Sequence, residues 1–198
     1  PRALVIEPQG GLDLLTALHH QTSSVTAVVS NPLIIEALEK FEQKGELLDN
    51  PQVIVAAEGA RSYLRHSKEQ FDVIQLSLTD SFRVVAAGAY SLSENYRYTT
   101  EAFAEYYRHL APGGFLSVTR WLQMPPSEEI RLLSLATAAL EELNIPYPEQ
   151  HIAAIRTFQT ITLVVKETPL NEQDIALIKD FSAKLGFDLV YYPGIEPA

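Results

Sequence analysis

The stretch Phe71-Asp-Val-Ile-Gln-Leu-Ser-Leu-Thr-Asp-Ser-Phe82 decides the fold. Residues 71–78 form an apolar run with few polar interruptions, just after the Lys68-Glu69-Gln70 end of a helical segment. Such a run reads as a strand buried on both faces, the pattern of a central strand in a parallel sheet. It stops at Thr79-Asp80-Ser81, where the chain turns polar. Open α/β sheets bind ligands beyond the carboxyl ends of their strands, so Ser77, Thr79 and Asp80 are the first candidate site residues.

Upstream of that strand, the sequence alternates strand and helix. Residues 3–6 predict a short strand, followed by the loop Glu7-Pro8-Gln9-Gly10-Gly11 and a helix over 12–20 with Leu14, Leu15 and Leu18 on one face. A second strand at 25–29 is stopped by Ser30-Asn31-Pro32, and 33–44 predict an amphipathic helix with Pro32 near its first turn. A strand at 53–57 and a short helix at 60–67 lead into the Phe71 strand. Downstream, a helix over 99–110 is capped by Thr99 or Thr100, and Pro112-Gly113-Gly114 turn into a strand at 115–120. Ser127, Glu128 and Glu129 open a long helix to residue 143, the two acids suiting the positive end of the helix dipole.

The last third changes pattern. Residues 152–156 and 160–166 read as an antiparallel pair at the sheet edge. A helix over 171–185, stopped by Gly186, and a strand at 187–191 complete the chain. The whole predicts an α/β, Rossmann-like, doubly wound and mostly parallel sheet, with helices on both faces and an antiparallel edge hairpin. No linker divides residues 1–198, so a single domain is expected. Its abrupt opening on a strand at Pro1 reads as a domain excised from a longer chain.

Composition narrows the function. A net charge of −10 argues against a nucleic-acid surface, which needs clustered Lys and Arg, and is compatible with a cationic ligand. With no cysteine, disulfides, thiolate metal sites and a cysteine nucleophile are excluded. The five histidines show no ligand spacing, so no metal site is expected. Ser77 has no evident His/Asp partner, which disfavours a serine hydrolase. Gly10-Gly11 lacks the Gly-x-Gly-x-x-Gly pattern that cradles a dinucleotide pyrophosphate. The sequence contains no signal peptide and no apolar run of membrane-spanning length.

Several pieces, in order, resemble the class I S-adenosylmethionine (SAM) fold and, more narrowly, the spermidine synthase family. They are Ala3-Leu-Val-Ile with Gly10-Gly11-Leu-Asp13, Val25-Thr-Ala-Val with Asn31-Pro32, Glu58-Gly59-Ala-Arg61, Phe71-Asp-Val-Ile with Asp80, Tyr98-Thr-Thr-Glu-Ala-Phe103, and Leu110-Ala-Pro-Gly-Gly-Phe-Leu116. Gln75-Leu-Ser-Leu, Ser93-Glu-Asn-Tyr96 and Thr119-Arg-Trp121 are similar to the spermidine-synthase-like domains of bacterial multi-helix membrane proteins. The resemblance implies a transferase using SAM or decarboxylated SAM on a small-molecule nucleophile such as a polyamine. It also implies a cytoplasmic domain joined to membrane helices outside this chain. By position, Gln9, Gly10, Gly11, Asn31, Glu58 and Gly59 would line the cofactor site, with Glu58 at the adenine amino group. Ser77 and Asp80 would stand at the reacting end.

The departures are specific. Glu7 and Gln9 stand in a loop that is Gly-rich in the family, and Val29 stands where the family has an acid that hydrogen-bonds the ribose hydroxyls. Ser77 replaces the aspartate that deprotonates the attacking amine, and a serine hydroxyl cannot take a proton from an ammonium group near neutral pH. Two readings therefore stand beside the aminopropyltransferase: a methyltransferase, which depends mainly on proximity and orientation, and a non-catalytic domain that binds a ligand or partner. For Glu58 the alternative is a solvated loop carboxylate, and for Asp80 a cap on its loop. The segment Glu94-Asn95-Tyr96-Arg97-Tyr98 is a candidate to close over a ligand, with Tyr98 packing as an anchor, and Arg120 is placed to attract an anionic group.

Overall fold

The computed structural model describes residues 1–40, 45–79, 96–123 and 127–195. Within them the strands are β1 (Arg2–Ile6), β2 (Ser24–Val28), β3 (Val53–Ala56), β4 (Phe71–Leu76), β5 (Leu110–Trp121), β6 (Ile152–Arg156), β7 (Thr160–Lys166) and β8 (Asp188–Tyr191). The helices are α1 (Leu12–His19), α2 (Pro32–Lys40), α3 (Gly45–Leu48), α4 (Ala60–His66), α5 (Thr100–Arg108), α6 (Glu128–Glu142) and α7 (Glu172–Leu185), with a 3₁₀ turn at Pro148–His151. The strands form one sheet in the order β3-β2-β1-β4-β5-β7-β6-β8. β1 to β5 are mutually parallel, β7 runs antiparallel to β5 and β6, and β8 runs antiparallel to β6. The Rossmann-like, mostly parallel sheet is thus as the strand–helix alternation predicts. The β6–β7 hairpin is not the rim, because β8 pairs outside it.

Side-chain alternation along each strand divides the core. Leu4, Ile6, Ile74, Leu76, Leu116 and Val118 pack with Leu64 of α4, Phe103 and Tyr106 of α5, and Leu132, Ala136 and Leu140 of α6. Ala3, Val5, Val25 and Ala27 face the other way, onto Leu14 of α1 and Leu47 of α3. Each enclosed Leu, Ile or Phe contributes roughly 1.5–3 kcal/mol relative to exposure, so both layers anchor the sheet.

The structure corrects the expectation that β4 is buried on both faces. Ile74 and Leu76 are enclosed, but Val73 and Gln75 on the opposite face are half-buried. There α1 leaves part of the sheet open as a groove of about 360 Å³, lined by Ala3, Val5, Ala17, Val73, Gln75 and Phe115 among others. The Pro112-Gly113-Gly114 turn is likewise absorbed into β5, which pairs with β4 from Leu110 and shifts register between Phe71 and Val73. Gly114 is required there, since a Cβ would lie 2.8 Å from the Phe71 carbonyl oxygen. Of the helix expected over 33–44, the structure describes α2 to Lys40 and residues 41–44 lie outside the described residues, while the unanticipated α3 supplies Leu47 to the smaller core.

Helix ends follow their local chemistry. Thr99 accepts from the Ala102 N–H through its side chain, and Asn171 with Asp174 forms a reciprocal capping box at α7. Ser127 precedes α6 as expected, but its hydroxyl donates to Gln123 Oε1 and makes no cap.

Candidate functional site

β1, β2, β3 and β4 all end on the same side of the sheet, and the chain reverses winding direction between β1 and β4. Doubly wound sheets bind ligands at that switch point, because helix and loop starts splay apart there and leave a crevice. The loop after β1 enters it in an unusual conformation. Glu7 has φ 55°, Gln9 φ 49° and Gly11 φ 85°, so alternate residues take the left-handed region. Glycine adopts that region freely, whereas a side chain there costs about 1–2 kcal/mol. Glu7 and Gln9 therefore keep a glycine-type loop without the glycines.

Glu7 is also enclosed, at 4% exposure. Its N–H donates to the Val28 carbonyl (2.9 Å), and its Oε1 accepts from the Ser30 N–H (3.1 Å). The side chain thus bridges the ends of β1 and β2, a contact that the sequence reading missed. Val29, at the expected acid position, is 2% exposed and commits its N–H to Ala56.

Across the switch point, β1 and β4 stay in register to Ile6 and Leu76, and the Ser77 N–H continues the ladder by donating to Ile6. Ser77 therefore sits beside Glu7. It is 3% exposed, and its Oγ is enclosed without a hydrogen-bond partner. The Arg61 Nε, near the start of α4, is likewise enclosed and unpartnered. Enclosed polar atoms are nearly always bonded, and leaving one unmet costs about 1–3 kcal/mol.

The other candidates divide by role. Gly10 and Gly59 avoid the left-handed region, and a Cβ on either would meet nothing within 4 Å, so the fold itself does not require glycine at either position. Gly11 is structural: it caps α1 in the left-handed region, and its Cβ would fall 2.6 Å from Leu47. Asn31 is exposed and accepts the Leu33 N–H at the start of α2. Glu58 is partly exposed, with its carboxylate 3.4 Å from His66 Nε2. Asp80 and residues 93–95 lie outside the described residues. Gln9 is exposed on the loop.

Arg120 is not poised for an anionic ligand. It is buried, its guanidinium stacks 4.3 Å over the Tyr98 ring, and it donates to Glu128 at 2.7 Å. Tyr98 is the packed anchor its position predicts. Nearby, Tyr106 donates to the Arg97 carbonyl, and burial first, then the neighbouring Tyr98 phenol, holds its hydroxyl well above the usual tyrosine range. Among the described residues no cluster of His, Asp and Glu could hold a metal, and no helix is long and apolar enough to cross a membrane.

No protein-family model and no curated protein matches the sequence. Solved structures do. The spermidine synthase from Thermotoga maritima is 19% identical, with a TM-score of 0.60 over 96% of this chain and 61% of that one. A probable spermidine synthase from Corynebacterium glutamicum ATCC 13032 is 17% identical, with a TM-score of 0.65 over 90% and 61%. Human methyltransferase-like protein 13, in complex with SAH, is 14% identical, with a TM-score of 0.64 over 92% and 80%. At these identities the likeness establishes the fold, a Rossmann-like sheet of the class I methyltransferase type, and this chain spans about three-fifths of the length of the two spermidine synthases.

Proposed function

We propose that this chain is a spermidine synthase-like transferase domain that binds SAM or decarboxylated SAM at the β1–β4 crevice, with altered residues at the reacting end. The observation that carries this reading is the enclosed, unpartnered Ser77 hydroxyl at the switch point. That hydroxyl is shut off as the chain stands, so a ligand's polar group would supply the bond the protein leaves unmade only as the residues over it shift. Gly10 and Gly59 support it, being small where nothing in the fold demands smallness.

When bound, such a ligand supplies a carbon activated by its sulfonium sulfur. The chain's residues would bind and orient it. Gln9 and Gly10 would offer loop backbone, Asn31 and Glu58 would face the nucleoside from the ends of β2 and β3, and Gly59 would allow close approach. Ser77 would fix the reacting end by hydrogen bonding. It would not serve as base, so the acceptor must arrive already neutral or lose its proton elsewhere, and Asp80 is the carboxylate of this motif to test for that role. A polyamine is the acceptor class suggested by the likeness to spermidine synthases, and methyl transfer is the variant that least needs a base.

A second reading is a ligand- or partner-binding domain without catalysis, within a larger membrane-associated protein. Val29 and the left-handed Glu7 and Gln9 favour it, since they remove an expected acceptor and put side chains into a loop built for glycine. Calorimetric titration with SAM, decarboxylated SAM and methylthioadenosine separates the two. Micromolar binding of one of them keeps the transferase reading alive, and a preference for SAM or for decarboxylated SAM points to methyl or aminopropyl transfer. No heat from any of the three, on a folded sample, leaves the non-catalytic domain.

A further inference from the structure

We propose that Glu7 is the ribose-reading carboxylate of the crevice, acting from the end of β1, and that it selects nucleosides with a free 2′,3′-diol. The inference rests on the adenosyl-binding reading above and deepens it. In doubly wound nucleotide sites the ribose hydroxyls are met by an acid after the second strand. Here that strand ends in the enclosed Val29, which accepts nothing. A carboxylate nevertheless arrives at the end of β2: Glu7 reaches across from β1, its N–H on Val28 and its Oε1 on the Ser30 N–H. The residues that hold it therefore flank Val29 on both sides.

Three features point to a ligand role beyond a staple between loops. Glu7 occupies a left-handed conformation that a glycine would take without strain, so the fold alone gains little from a side chain there. Glu7 as a residue is 4% exposed, and among the described residues its carboxylate accepts a single hydrogen bond, through Oε1. An ionised carboxylate accepts several, and Oε2 is not among the shut-off polar atoms, so it keeps capacity for a further donor. Finally, Ser77, whose enclosed hydroxyl has no partner, continues the β1–β4 ladder next to Glu7, its N–H donating to Ile6. A vicinal diol supplies two neutral donors to one carboxylate. A 2′- or 3′-phosphate in its place would be repelled, which makes Glu7 specificity-determining.

The test is a calorimetric cycle with adenosine and 2′,3′-dideoxyadenosine on the wild-type chain, Glu7→Gln and Glu7→Gly. The glycine variant relieves the backbone strain, and thermal melting verifies that each variant is folded. Charge-assisted hydrogen bonds predict that the wild type prefers adenosine by about tenfold to a hundredfold. The preference should fall to about threefold or less in Glu7→Gly, with dideoxyadenosine affinity nearly unchanged. A folded Glu7→Gly that keeps the wild-type preference overturns this role and leaves the adenosyl reading standing. A wild type that binds adenosine and dideoxyadenosine equally does the same. A wild type that binds neither of these, nor SAM nor methylthioadenosine, overturns both.

Discussion

Replacing Gly11 by alanine tests whether the loop after β1 is held by backbone conformation and packing. Two costs add. A non-glycine residue at φ 85° costs about 1–2 kcal/mol. The new Cβ would stand 2.6 Å from Leu47 Cδ2, and forcing an enclosed leucine aside costs about 1–3 kcal/mol. Alanine returns about 0.4–1 kcal/mol by restricting the unfolded chain, leaving a net loss of about 1–5 kcal/mol. For a domain of this size that is a fall in Tm of about 2–20 °C, readable by calorimetry, with the free-energy loss itself readable by urea denaturation. Gly10→Ala is the control: with no left-handed φ and nothing within 4 Å, it should leave stability unchanged or raise it by up to about 1 kcal/mol, and on the proposed reading it should weaken adenosyl ligands. Adding Leu47→Ala should recover the collision part as a favourable coupling of about 1–3 kcal/mol in the double-mutant cycle. Equal stability of Gly11→Ala and Gly10→Ala, or a cycle with no coupling, would refute the reasoning.

Three other outcomes follow from buried groups. Tyr107 donates to the Glu167 carbonyl, and burial first, then the Glu167 carboxylate, pushes its hydroxyl up to about 12; the folded chain thus keeps a proton that the unfolded chain releases near pH 10. Stability present below pH 10 should be lost between pH 10 and 12, and Tyr107→Phe should flatten that loss in pH-dependent melting. Glu128→Gln removes the charge that Arg120 meets at 2.7 Å and should cost about 1–3 kcal/mol in urea denaturation, whereas Arg131→Gln, whose guanidinium is exposed and 3.8 Å away, should cost about 1 kcal/mol or less. Val29→Asp puts an unpaired carboxylate into an enclosed site beside Glu7; a loss of about 3–5 kcal/mol at pH 7 that shrinks as pH falls is expected, and an unchanged Tm would show the position open to solvent.

The sheet was legible because its signals are local and repeated: apolar strands at regular intervals, each followed by a capped or amphipathic helix. Strand order across the last third was less so, because nothing in residues 187–191 says that they pair outside β6. The one-sided burial of β4 was hidden for a related reason. Val73 has the same character as Ile74, and only the placement of α1 leaves one half-covered and the other enclosed. In the crevice, residue types exposed the departures at Glu7, Val29 and Ser77. What Glu7 does instead depends on a left-handed φ, and left-handed backbone at glutamate leaves no periodic trace in a sequence. Arg120 shows the opposite error. Its position at a strand end suggested a ligand, but Glu128, eight residues on, already meets its charge.

The seam between β5 and β7 joins a parallel half of the sheet to an antiparallel one through seven residue pairs, Phe115 with Lys166 to Trp121 with Thr160. During synthesis the parallel half can assemble as soon as β5 has emerged, while its partner strand is still about 45 residues from completion (from Trp121 to Lys166), roughly two to nine seconds at usual elongation rates. For that interval the outer side of β5 would be an unpaired apolar margin, the kind of surface that recruits other nascent chains. The β6–β7 hairpin closes through local contacts and can dock as a preformed unit, which shortens the exposure. Folding yield should therefore depend on the hairpin turn at 157–159 more steeply than native stability does.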